Sequence, residues 1–185
     1  GAITVTGTVA GQTGTLGAPS IAVPGTLSFA QDLAVAATTG DVAGAGRVQA
    51  ALLTGQAAGA IVLVGPNQIA ALGPLRAGAG ITLANQPALA IVGPVDGGPG
   101  VAITNQGSVT IGAPVTAAER IAIQSVAGGI TERDTTLTAP RILLATSDAQ
   151  SVWLSGGTIV TAGSVVRGRI MSDSPVLPSN GGQGA

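Results

Sequence analysis

Apolar residues in this chain alternate with small or polar ones over short runs, and the runs return at a fixed interval. ITLANQ at 81–86, VAITNQ at 101–106 and IAIQSV at 121–126 lie twenty residues apart. Alternate residues of a strand face opposite sides. Ile81, Val101 and Ile121 are therefore predicted to point inward together, as are Leu83, Ile103 and Ile123, with Thr82, Ala102 and Ala122 outward. A second set keeps the same interval: Leu89 with Val109, Ile91 with Ile111, Val95 with Val115. Pro74, Pro94 and Pro114 recur at one point of the period. Proline has no N–H for a sheet ladder and fixes its own φ, so that point is predicted to be a corner. Asn85 and Asn105, each followed by Gln, mark another corner, where stacked amides can hydrogen-bond along the axis. Ser125 stands there in the third repeat, and the amide ladder is expected to end at it.

The interval extends in both directions. Ile3 and Val5 alternate with Thr4, Thr6 and Thr8 as in a half-buried strand. Ile21, Val23, Phe29 and Val35 lie forty residues before Ile61, Leu63, Ile69 and Leu75, two turns away. The turn between them, 41–60, keeps the length and loses the phase, with Val42, Val48, Ala50 and Leu52 as its expected inward set. After Val126 the pattern loosens over 127–140. Ile142 and Leu144 then resume it 21 residues after Ile121 and Ile123, which predicts one inserted residue at a turn. Short strands follow around Val152, Leu154, Ile159 and Val165 to about Ile170, and 173–185 is expected to be an irregular tail. No window sustains a 3.6-residue period, so no helix is predicted.

Short strands at a fixed spacing, each too small to bury its own face, predict stacked turns. The expected fold is all-β: a parallel β-helix, or β-solenoid, of about nine rungs filling residues 1–172 as one domain. The general preference of parallel connections favours right-handed winding. An antiparallel sandwich would also show short strands, but it gives no reason for Pro and Asn to recur at one spacing.

Composition narrows the chemistry. Hydrophobic residues are 45% and aromatic ones 1%, so the core must be aliphatic; Phe29 and Trp153 are the only rings. Charged residues are 8% with a net charge of -1, which gives nucleic acid or anionic lipid no electrostatic footprint. No apolar run approaches the ~20 residues of a membrane span. GAITVTG at the start carries neither a basic nor a long apolar region, so an exported form is expected to be a processed or excised chain. There is no His, Cys, Lys or Tyr, which removes imidazole, thiol, amine and phenol chemistry, and no cofactor or metal is implied. Asp32, Asp41, Asp96, Asp148 and Asp173 are scattered, and Asp96 in VDGGPG is a single copy of what a calcium-binding repeat needs in tandem.

Candidate contact residues are few. Glu132 and Asp134 alternate and are expected to share a solvated turn with Arg133. Arg167 and Arg169 form a local basic spot. Trp153 lies between Val152 and Leu154 and is exposed if those two point inward.

The run VQAALLTGQAAGAIVLVGPNQIAALGPL, followed by ALAIVGPV and GSVTIGAPVTA, resembles the interior repeats of bacterial filamentous haemagglutinin-like exoproteins, with NQIAALG at 67–73 the most characteristic piece. The likeness is one of repeat style and covers roughly residues 32–166. The secretion signatures of NPNG and NPNL type are absent. The resemblance implies a right-handed β-helical, secreted surface protein, an adhesin or matrix component at the bacterial cell surface. The function expected from these features is that of a non-catalytic structural or adhesive rod. Its partners would be further copies of itself, stacked end to end or strand-swapped into a filament, and a glycan of a host or neighbouring cell or matrix. Alternatives are a polysaccharide-binding or polysaccharide-cleaving β-helix and an inert spacer within a larger adhesin.

Overall fold

The computed structural model describes residues 1–147, 150–167 and 169–172, the last turn by its backbone alone. The tail expected over 173–185 lies outside the described residues. The chain winds as a β-solenoid of about eight turns, all its strands are paired in parallel, and no helix occurs among the described residues. Each turn has three faces.

The first face carries the file that the twenty-residue interval predicts. Ile3, Ile21, Val42, Ile61, Ile81, Val101, Ile121 and Ile142 pair in sequence, each with its equivalent one turn on. A ninth strand, Gly163–Arg167, adds to the end of that face. Nine strands enclose eight full turns, which reconciles the expected nine rungs with the winding observed. At ~4.8 Å per strand the stack is about 38 Å long.

The second face stacks Leu89, Val109, Ile130 and Val152. Beside it runs a longer file of Leu33, Leu53, Leu72, Ile91, Ile111, Glu132 and Leu154. The third face stacks Val35, Gly55, Leu75, Val95, Val115, Leu137 and Ile159. Apart from Gly55 and Glu132, the members of these files are buried aliphatics of one core. β-branched and γ-branched side chains of similar volume, one above another, satisfy the packing that each rung lacks alone. Phe29 is the exception in shape. Its ring occupies the space that a side chain at Gly14 would need, where a Cβ would come within 2.4 Å of it.

Pro74, Pro94 and Pro114 separate the second face from the third, exposed between buried neighbours as predicted for a corner. Pro94 O accepts from Leu75 N and Pro114 O from Val95 N, both at 2.9 Å, so the corner stays in the ladder through its carbonyls. Gly93 is required at this point: a Cβ there would sit 2.4 Å from Pro74 N and 2.5 Å from Gly73 C, both backbone.

At the other predicted corner the amides form the expected ladder. Asn85 Nδ2 donates to Asn105 Oδ1 at 2.9 Å, and both residues are buried. Asn85 Oδ1 also accepts from Ile69 N at 2.8 Å. The ladder ends as expected at Ser125, whose hydroxyl donates to Gly107 O at 2.8 Å. In the other direction it gains Asn67, paired with Asn85 in the sheet and donating to Ala84 O at 2.9 Å.

Two expectations of phase need correction. Leu53, and not Leu52, is the inward residue of the turn at 41–60; Leu53 is fully buried and Leu52 is half-buried. The N–H groups of Ala51 and Leu52 both donate to Gln31 O, and that local irregularity consumes one residue and inverts the alternation. The 21-residue turn also hides more than one insertion. Asn105 pairs with Ser125, twenty on, but Val109 pairs with Ile130, Val115 with Leu137, and Arg120 with Arg141. One residue is gained in 126–129, another in 133–136, and one is lost before Arg141.

Candidate functional site

The insertion at 133–136 makes an irregular corner of the rod, and two of the candidate contact residues, Asp134 and Trp153, meet beside it. Thr131 and Arg133 alternate outward from strand Ile130–Arg133, and Ser151, Trp153 and Ser155 from the adjoining strand Ser151–Ser155. Thr131 pairs with Trp153 and Arg133 with Ser155 in register. Two strands ~4.8 Å apart, with outward residues every ~7 Å, give a flat platform.

Trp153 lies on that platform with 39% of its surface exposed, because Val152 and Leu154 on either side are buried inward. Its indole N–H has no hydrogen-bond acceptor among the described residues. On one side the outward positions paired in line with it carry smaller groups, Thr131, Thr110, Ala90 and Ala71, with Leu52 beyond them; on the other side its partner is Met171. The indole is the largest side chain along the described outward file from Ala71 to Trp153. Gly129, Gln150 and Asp134 complete the wall of an open depression of about 760 Å³.

The corner fixes Asp134. It adopts φ 48°, the left-handed region that Asp tolerates better than most residues. Asp134 N donates to Ser155 O at 2.8 Å, holding the corner onto the next turn. Its carboxylate lies over Gly156, itself at φ 73°, where a Cβ would come within 2.0 Å of Asp134 Oδ1. A side chain at 156 would take the space the carboxylate occupies, so the glycine makes room for it at the rim. Arg133 is exposed beside it and forms no ion pair among the described residues.

Glu132 does not belong to this surface, contrary to the expectation that it shares a face with Asp134. It is 1% exposed and faces the interior, in the file between Ile111 and Leu154. Its Oε1 accepts from Thr135 N at 3.0 Å. The carboxylate rests against Gly157, whose missing side chain makes room for it. The extra residue in the corner breaks strand alternation after Arg133, which puts Glu132 inside and Asp134 outside although they are two apart. Arg167 closes strand Gly163–Arg167 and Arg169 opens strand Arg169–Ser172; their side chains lie outside what the structure describes.

Asp96 sits at an ordinary turn, accepting from Gly98 N at 3.1 Å and facing Arg76 at 3.5 Å. No group of three or more metal-ligating side chains occurs among the described residues. Sequence reasoning missed Asn67 and the roles of Gln150, Ser151 and Ser155. For Asn67 the available signal was a third Asn–Gln pair, at 67–68, displaced to eighteen residues before Asn85 by Gly65 and Pro66. Searches with this chain found no matching protein-family model, no matching curated protein and no matching solved structure.

Proposed function

We propose that this chain is a non-catalytic, extracellular structural and adhesive protein, a rigid β-solenoid rod that adds to further copies of itself in a bacterial surface or matrix filament. The observation that carries this reading is the continuity of the core files. The first-face file runs from Ile3 to Ile142 with an aliphatic residue in every turn. Each turn therefore offers the next one the same surface, and the surface of one turn fits any other, whether from the same polypeptide or from a second copy. The resemblance of residues 32–166 to haemagglutinin-like repeats supports the extracellular setting, and the absence of His, Cys, Lys and Tyr leaves little chemistry besides recognition.

Negative-stain electron microscopy of the purified chain over rising concentration tests it. Rods that lengthen into filaments of constant width are expected. Uniform, monodisperse rods at every concentration would remove self-assembly from the reading, and turnover of any glycan substrate would remove its non-catalytic part.

A further inference from the structure

We infer that the depression around Trp153 is a saccharide-binding site, taking one or two pyranose units of a neutral or weakly acidic glycan chain without cleaving it. This goes beyond the rod reading and stands whether or not rods assemble.

Three features carry the inference together. The first is the exposed indole on a flat two-strand platform, beside Thr131 and between buried Val152 and Leu154. A pyranose ring has a face of C–H groups and an edge of hydroxyls, and a half-exposed indole with a free N–H offers a stacking surface and a donor at once. The second is the rim. Arg133 and Asp134 stand exposed at one corner, and Gln150, Ser151 and Thr131 add polar groups around the ring. Planar carboxylate and guanidinium groups each bind adjacent hydroxyls in pairs, which gives orientation as well as attraction. An apolar peptide would leave these groups unpaired, and nucleic acid meets a chain with a net charge of -1. The third is the corner backbone. The left-handed backbone of Asp134 and the room left by Gly156 place the carboxylate at the rim.

The same geometry separates binding from hydrolysis. Glycoside cleavage needs two carboxyl groups flanking one bond. Among the described residues Asp134 is the one carboxylate on the depression, since Glu132 faces the interior at 1% exposure. The site can hold a sugar, and among the described residues no second acid stands beside it to break one.

Trp153 is the only tryptophan of the chain, so its emission reports on this site alone. The full chain is titrated with maltohexaose, cellohexaose, chitohexaose and hexagalacturonate while that emission is followed. At least one of the four is expected to give a saturable shift with a Kd of about 0.1 to 1 mM. Asp134→Asn keeps a residue that tolerates the left-handed backbone, and Arg133→Gln alters an exposed side chain, so both should fold with an unchanged urea midpoint. Each is expected to weaken the binding about tenfold. The inference is overturned if none of the four saturates by about 10 mM, or if the shift persists undiminished in the double variant, which would mean indiscriminate contact with the ring. Appearance of new reducing ends during the titration would overturn the claim that the site binds without cleaving.

Discussion

The Asn ladder gives the sharpest test of how the rod holds its register. In Asn85→Ala, four hydrogen bonds end at once: Ile69 N to Oδ1 at 2.8 Å, Nδ2 to Ile69 O at 3.0 Å, Nδ2 to Asn105 Oδ1 at 2.9 Å, and a long one from Nδ2 to Pro87 O at 3.4 Å. Asn85 is 2% exposed and Asn105 is fully buried, so water does not replace the lost partners without opening the corner. An orphaned buried N–H costs about 1–3 kcal/mol, and each of two acceptors losing its donor adds about 0.5–1 kcal/mol. With the long contact to Pro87 O left aside, the expected loss is therefore about 2–5 kcal/mol. Asn85→Asp keeps the acceptor for Ile69 N but sets a buried carboxylate against Ile69 O and Asn105 Oδ1, both acceptors, and should cost at least as much. Urea unfolding is followed by Trp153 emission and by far-ultraviolet circular dichroism. Trp153 lies three turns beyond Asn85, so coincidence of the two curves also shows whether the stack unfolds as one unit. A loss below about 1 kcal/mol for Asn85→Ala, with coincident curves, would refute the reasoning, because it would mean that the amides exchange freely with water.

Other outcomes follow from the corrected phase and the close approaches. Leu53→Ala should cost about 2–5 kcal/mol and Leu52→Ala clearly less, by urea midpoint; equal losses would deny the inversion at Ala51 and Leu52. Glu132→Ala opens a void in the file between Ile111 and Leu154 and orphans Thr135 N, with an expected loss of about 2–4 kcal/mol. Glu132→Gln keeps an acceptor for Thr135 N and should lose less than Glu132→Ala in the same thermal scan. Gly93→Ala puts a Cβ against the backbone of Gly73 and Pro74 and should abolish folding or lower stability by more than about 2 kcal/mol. Gly17→Ala meets nothing within 4 Å and should be neutral or stabilising by up to about 1 kcal/mol, measured side by side.

Most of the fold is legible in the sequence because solenoid stacking turns a fixed interval into a contact map. Ile81, Val101 and Ile121 identify one another by spacing alone, and so do Leu83, Ile103 and Ile123. The spacing fails where local backbone geometry consumes residues. Two N–H groups converge on Gln31 O and move burial from Leu52 to Leu53, and Gly65 with Pro66 lengthens one turn and hides Asn67. Glu132 is the most instructive case. Its charge suggests a surface, yet it follows Ile130 by two residues as Ile111 follows Val109, and the strand phase set by Ile130 overrides the residue type. The Trp153 depression was half legible. Alternation between Val152 and Leu154 places the ring, but its union with Arg133 and Asp134 depends on pairing across 22 residues through a turn of altered length.

The turn that carries Glu132 also defines where this architecture can be edited. Residues gained at 126–129 and 133–136, and one lost before Arg141, leave the strands on either side in register, from Ile121 with Ile142 to Leu137 with Ile159. Length is thus absorbed corner by corner, and neighbouring faces do not feel it. A foreign loop inserted between Val126 and Ala127, both exposed, would be displayed from a scaffold that keeps Glu132 and its Thr135 partner in place, and a panel of such grafts along the stack would present several loops on one edge at a ruler spacing of ~4.8 Å.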